Sequence, residues 1–373
     1  VMILSQCVGS KKDERGPAFA GDQACISCHK TVYDSYLKTA HYHASAPAST
    51  TTILGSFQSP NDSFVYSGGA VVKAEKADSQ FYQTAYTNGQ LQQRASFDVV
   101  VGQGRNAQTY LSWRNNHYYQ LPLSYFKPVN SWVNSPGYPA THPFFERMVP
   151  ATCFSCHSSY VNVEEKMTGI RKEELFPKNE VMYGINCERC HGPAQEHVAW
   201  HSQHPDDKTP HGIVEVGKLS AQQQVDMCAL CHSGLLTPQR SLFDFRPGNK
   251  LSEFIMADYF ATPAGKAPDA HGNQYQLLKK SRCFRESMNQ LTCNTCHNAH
   301  EDSRDLQAYS LKCMSCHPPE SPKFCTNKAL PVVQLKQNCI DCHMPVEKSK
   351  VITFLTGGEN TVADSLRSHY IRK

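Results

Sequence analysis

Cys187-Glu188-Arg189-Cys190-His191 places two thiols three residues apart and a histidine directly after the second. The same Cys-x-x-Cys-His pattern recurs at Cys25, Cys28 and His29; Cys153, Cys156 and His157; Cys228, Cys231 and His232; Cys293, Cys296 and His297; Cys313, Cys316 and His317; and Cys339, Cys342 and His343. In a turn of helix the two thiols share a face, and the histidine follows within one further residue. Such a turn can grip a planar group through two thioethers while the imidazole reaches a metal at its centre.

Zinc would require about four ligands per ion at paired spacings. Here each cysteine pair ends in its own histidine and the gaps between motifs are irregular, so the pattern reads as seven attachment sites for haem c. His29, His157, His191, His232, His297, His317 and His343 are then the proximal metal ligands. The motifs use 14 of the 17 cysteines and leave Cys7, Cys283 and Cys325. In an oxidising compartment Cys283 and Cys325 are expected to pair, the alternative being two unpaired buried thiols.

The last six motifs fall between Cys153 and His343, roughly one per 32 residues. Aliphatic side chains are too few there for an ordinary core, so porphyrin must supply buried apolar surface. The expected fold is a set of mostly short helices and loops wrapped around a haem array, with a small antiparallel β element in the N-terminal half. The formal charge of +4 becomes roughly −10 once fourteen ionised propionates are counted. No concentrated basic tract is present, and no nucleic-acid partner is expected.

Residues 1–22 read as an N-terminal tail. Within it Leu4-Ser5-Gln6-Cys7 resembles the end of a bacterial lipoprotein signal, which makes Cys7 a candidate lipid anchor; a bland thiol or a truncated leader is the alternative. No window of about 18 apolar residues exists, so no transmembrane helix is expected. Residues 23–150 form a one-haem region with a β-rich insert at about 60–125. There Phe64-Val65-Tyr66, Phe81 to Tyr86, Phe97 to Val101 and Tyr118 to Leu123 alternate with polar turns, and Asn88-Gly89 marks a hairpin. Residues 151–348 form a six-haem domain, and 349–373 a polar tail read as helical that carries His369.

Eleven histidines lie outside the motifs, enough for a second imidazole at every iron. His300 and His197 follow their nearest proximal histidines by three and six residues. So short a tether can hardly reach round the ring, so each is expected to ligate a neighbouring haem. His41, favoured over His43, and His271 are further axial candidates, with His142 and His369 behind them. His117 is read as a surface residue, and His201, His204 and His211 leave one ligand or a solvated loop open. A methionine at any iron would raise its potential.

The stretch Tyr183-Gly184-Ile185-Asn186-Cys187 to His197, together with Leu291-Thr292-Cys293 to His300, resembles the cytochrome c-552/c-554 type among bacterial multihaem cytochromes c. The resemblance implies stacked haem pairs, mostly bis-histidine ligated, with His197 and His300 as cross-haem ligands. It also implies a periplasmic or cell-surface location, because bacterial haem c is attached outside the cytoplasmic membrane. Some relatives reduce nitrite or oxidise hydroxylamine at an open haem, but the lysine-ended attachment motif of ammonia-forming nitrite reductases is absent. Electron transfer between donor and acceptor redox proteins by one-electron Fe(III)/Fe(II) cycling is the leading expectation. A multihaem oxidoreductase acting on a small nitrogen or sulfur oxyanion or hydroxylamine is one alternative. A conducting subunit of a filament, homo-oligomer or membrane-associated complex is the other.

Overall fold

The computed structural model describes residues 13–234, 237–256, 268–287 and 290–372; Cys7 lies outside them. Strand and helix occur in comparable amounts. The expected mostly helical fold with one small N-terminal β element is therefore overturned: sheets run through both halves of the chain.

Among the described residues the largest sheet has nine strands. Its main path runs through Ser45–Pro47, Val99–Val101, Ala107–Arg114, Leu123–Phe126, Ser131–Asn134, Val346–Gly357 and Asn360–Arg367. His117–Gln120 also pairs with Ala107–Arg114, and Arg147–Met148 closes that edge. All these pairings are antiparallel. A second sheet holds Ser63–Val65, Val71–Ala77, Gln80–Thr87 and Gln90–Ser96. Asn88 and Gly89 turn its last hairpin with φ of 51° and 76°, the left-handed pair that a two-residue hairpin needs.

The C-terminal segment is the main departure from the helical tail expected there. Val351-Ile352-Thr353-Phe354-Leu355 is β-branched and aromatic, and Gly357-Gly358 supplies the turn. These are strand signals, and the hairpin joins the N-terminal sheet where Asn134 pairs with Leu355. Phe354 stacks on Phe126 with centroids 4.2 Å apart. Both rings are buried, so C-terminal and N-terminal residues share one core.

A second departure is the exposed hairpin Glu164–Thr168 and Arg171–Leu175. Its Glu and Lys residues favour helix by propensity, yet Gly169, with φ of 64°, breaks the run. A cross-strand pair between Lys172 Nζ and Glu165, 2.5 Å apart, ties the two strands.

The β core centres on Trp132, packed against Phe57, Phe97, Tyr110 and Tyr125. Trp132 Nε1 donates to the Ser56 carbonyl at 2.7 Å. A second cluster, with Tyr118, Phe154 and Phe176, joins this sheet to the helix that ends at His157. Among the described residues no helix is long and apolar enough to cross a membrane.

Candidate functional site

The attachment motifs lie in helical turns. His29 sits at a kink inside Gln23–Tyr36; His157 closes Ala151–His157, His191 closes Cys187–His191, His232 closes Ala221–His232 and His343 closes Cys339–His343. Cys293–Cys296 is a single turn, and Leu306–Met314 carries Cys313. His297 N and His317 N donate to the carbonyls of Cys293 and Cys313 at 2.9 and 3.0 Å, extending the same geometry. Local capping starts several turns: Ser220 forms a capping box with Gln223, and Asn338 Oδ1 accepts from Asp341 N.

Among the described residues four of these histidines face a histidine from elsewhere in the chain. His29 meets His197 with centroids 6.3 Å apart and planes at 16°, and His191 meets His300 at 5.9 Å and 14°. His297 meets His369 at 5.8 Å and 29°, and His232 meets His41 at 6.3 Å and 77°. His271 lies close enough to His157 for like-charge repulsion to oppose its protonation, after burial, which acts first. An iron held by two imidazole nitrogens at about 2 Å each sets ring centroids on the order of 6 Å apart. The spacing of the four facing pairs therefore fits a haem iron between them.

The free nitrogens point to the same chemistry. His191 and His197 place Nδ1 against the carbonyls of Val214 and His211, at 3.3 and 2.9 Å. His317 and His343 do so against Lys323 and Arg372, at 2.9 and 2.6 Å. His271 instead places Nδ1 2.9 Å from the Asp364 carboxylate. With Nδ1 occupied, Nε2 is left as the ligating atom. Burial first, and then His41, pushes the His232 imidazole down to about 4; burial and His297 do the same for His369. Neutral imidazoles keep the lone pair a metal takes.

The thiols are arranged across motifs. Cys25 lies beside Cys187, Cys156 beside Cys231, Cys228 beside Cys293 and Cys313 beside Cys339, each close enough to act on its partner's ionisation. The attachment edges of motifs one and three, two and four, four and five, and six and seven are therefore adjacent. Among the described residues no three or more His, Cys, Asp or Glu side chains converge on one point. Cys283 and Cys325 carry free thiols rather than the expected disulfide. Cys283 sits instead within electrostatic reach of Cys316, Cys296 and Cys313.

The remaining sequence candidates are scattered. His142 is exposed, with Nδ1 3.0 Å from Thr141 Oγ1, and His117 pairs with Glu173 at 3.2 Å. His201 packs on His197 with centroids 4.5 Å apart and keeps a buried Nε2 without a partner. Among the described residues no ring faces His317 or His343 as His41 faces His232.

Three supporting residues had no signal in the linear motif. Gly184, with φ of 68°, lets Ile185 N donate to the His41 carbonyl at 2.8 Å. Ser45 donates to the His157 carbonyl at 2.6 Å and accepts from Gly184 N at 3.1 Å. Asp364 is 93 residues from His271; no local pattern connects them.

A family model described as "Cytochrome c554 and c-prime" matches residues 139–192, which include the second and third motifs. The multiheme cytochrome MtrA of Shewanella baltica (strain OS185) is 25% identical over 201 residues. That match covers 52% of this chain and 52% of the relative, so the chain spans about half the relative's length. The crystal structure of the outer cell wall cytochrome OcwA is similar with a TM-score of 0.56 at 15% identity, over 95% of this chain and 80% of that one. The last likeness concerns the fold alone. Taken with the attachment turns, the matches liken the chain to bacterial multihaem cytochromes c, whose cofactor is haem c.

Proposed function

We propose that this protein passes electrons between redox partner proteins through seven covalently held c-type haems. The observation that carries the reading is the adjacency of attachment thiols from different motifs, since it brings the edges of the cofactors together. Cys25 with Cys187, Cys228 with Cys293 and Cys313 with Cys339 link motifs one to three, four to five and six to seven. Cys190 bears on Cys228, and Cys296 on Cys313, which supplies the remaining links. The order is one, three, four, five, six, seven, with the second haem beside the fourth through Cys156 and Cys231.

Bound haem supplies one-electron Fe(III)/Fe(II) cycling. The fourteen motif cysteines would hold the rings and the seven motif histidines would each supply an imidazole to an iron. His197, His41, His300, His369 and His271 would supply the second imidazole for motifs one, four, three, five and two. Buried neutral imidazoles and Nδ1 bonds fix ring orientation, so little rearrangement accompanies each electron. Haem attachment outside the cytoplasmic membrane, and the outer-cell-wall placement in the name of the similar structure, fit a periplasmic or surface site.

The test is a coulometric titration of the purified holoprotein with intact-mass analysis. Seven haems by mass, seven electrons per chain, and no turnover of nitrite or hydroxylamine by the reduced protein are expected. Fewer than seven attached haems, or steady consumption of either compound, would overturn the reading.

A further inference from the structure

We propose that Asp364 is a positioning residue that lowers the potential of the haem held by Cys153 and Cys156, by accepting a charged hydrogen bond from the axial imidazole of His271. This rests on the proposed ligation of that haem by His157 and His271.

His271 Nδ1 lies 2.9 Å from Asp364 Oδ2. The carboxylate sits on the strand Asn360–Arg367, with its side chain only 5% exposed. Its other oxygen accepts from Asn106 Nδ2 at 2.9 Å and from Ser365 N at 2.9 Å. Both oxygens are thus engaged, and the carboxylate cannot swing away without breaking contacts to two other segments.

Among the described residues the other proposed axial histidines lack such a partner. His191, His197, His317 and His343 direct Nδ1 at backbone carbonyls. Nδ1 of His297 lies 3.3 Å from the Tyr309 hydroxyl. A carboxylate draws the Nδ1 proton more strongly than a carbonyl does and makes the opposite nitrogen a stronger donor to iron. Its negative charge, on a buried carboxylate beside a half-exposed imidazole, also favours the more positive ferric state. Both effects act in one direction. The C-terminal hairpin, at the far end of the chain from this attachment motif, thereby sets the energy of one station beside the fourth haem.

The test is a spectroelectrochemical titration of the full-length holoprotein carrying Asp364→Asn. The amide leaves a neutral acceptor of the same shape, as the other imidazoles have. One midpoint potential should rise so that its Fe(III)/Fe(II) ratio at fixed potential falls at least tenfold, or 59 mV for one electron, with the spin state of every haem unchanged. Asp364→Glu should restore most of the shift. Asn106→Ala removes a competing donor from the carboxylate, and should move the same potential downward; it reads the idea independently if the first variant does not fold.

His271→Ala separates the two layers of the argument. Conversion of one haem to high spin supports the ligation, and unchanged potentials in Asp364→Asn and Asn106→Ala would then overturn the role of Asp364 alone. A spin-state distribution in His271→Ala identical to that of the parent would overturn the ligation and the proposal with it.

Discussion

His41 and His232 meet with their planes at 77°, while the other three facing pairs lie within 29° of parallel. Perpendicular imidazoles leave the two iron orbitals that donate into them nearly degenerate, and parallel ones split them. Low-temperature electron paramagnetic resonance of the oxidised protein should therefore show a highly anisotropic low-spin signal beside rhombic ones. His41→Ala should remove the anisotropic signal and add one high-spin haem. Survival of that signal in the variant would show that His41 does not face the fourth iron.

The same pair can be disturbed from a distance through Gly184. Its φ of 68° favours glycine, and an added Cβ would sit 2.4 Å from the Tyr42 carbonyl oxygen. Gly184→Ala combines a left-handed penalty of about 1–2 kcal/mol with displacement of the Tyr42 backbone next to His41. The expected result is a lower melting temperature together with altered g-values for the anisotropic signal alone. Unchanged spectra would mean that the His41 backbone absorbs the shift.

Covalent spacing made the attachment side legible in sequence, since five consecutive residues fold as a turn whatever surrounds them. The short tethers behind His197 and His300 pointed away from their own motifs, and their partners in space are His29 and His191. The sheet was far less legible. Val351 to Leu355 is as β-prone as the N-terminal runs, but its pairing partner at Asn134 lies more than 200 residues away. The exposed hairpin at 164–175 has helix-forming residues held as strands by cross-strand charges and a single glycine. Asp364 shows the same limit at the site: a side-chain contact across 93 residues leaves no periodic trace.

Glu188, inside the third motif, is a buried anchor for the N-terminal segment. It accepts from Ala20 N at 2.8 Å, Gly21 N at 3.1 Å and Ala194 N at 2.9 Å, and it pairs with Arg15. Its side chain is 1% exposed and that of Arg15 6%. Replacing it by alanine leaves three amides unpaired and Arg15 with Asp13 as its remaining carboxylate, a loss of about 3–5 kcal/mol. Guanidinium unfolding followed by circular dichroism should show Glu188→Ala strongly destabilised and Glu188→Gln less so. Early cleavage near residues 13–21 in limited proteolysis would place the damage where this contact predicts it. Equal stability of both variants and the parent would remove Glu188 as the anchor.

Asp269 ties the His271 loop to the C-terminal hairpin and gives that junction an acid sensitivity of known sign. Its carboxylate accepts from Lys350 N at 2.6 Å, Ser349 Oγ at 2.8 Å and His271 N at 2.9 Å. Burial acts first and opposes ionisation. The bonds from Lys350, His271 and Ser349 overcome it and hold the group below the usual carboxylate range. A depressed folded value means that the unfolded chain binds the proton more readily. The stabilisation is therefore fully present above the unfolded value of about 3.9 and is lost as pH falls through the folded one. Hydrogen exchange at Lys350 and Ile352, corrected for intrinsic rates, should lose protection below about pH 4 while the sheet at Ala107–Arg114 keeps it. Asp269→Asn should show part of that loss already at neutral pH. If Lys350 stays protected in acid and in the variant, the hairpin is held by its packing through Phe354 on Phe126 rather than by this carboxylate.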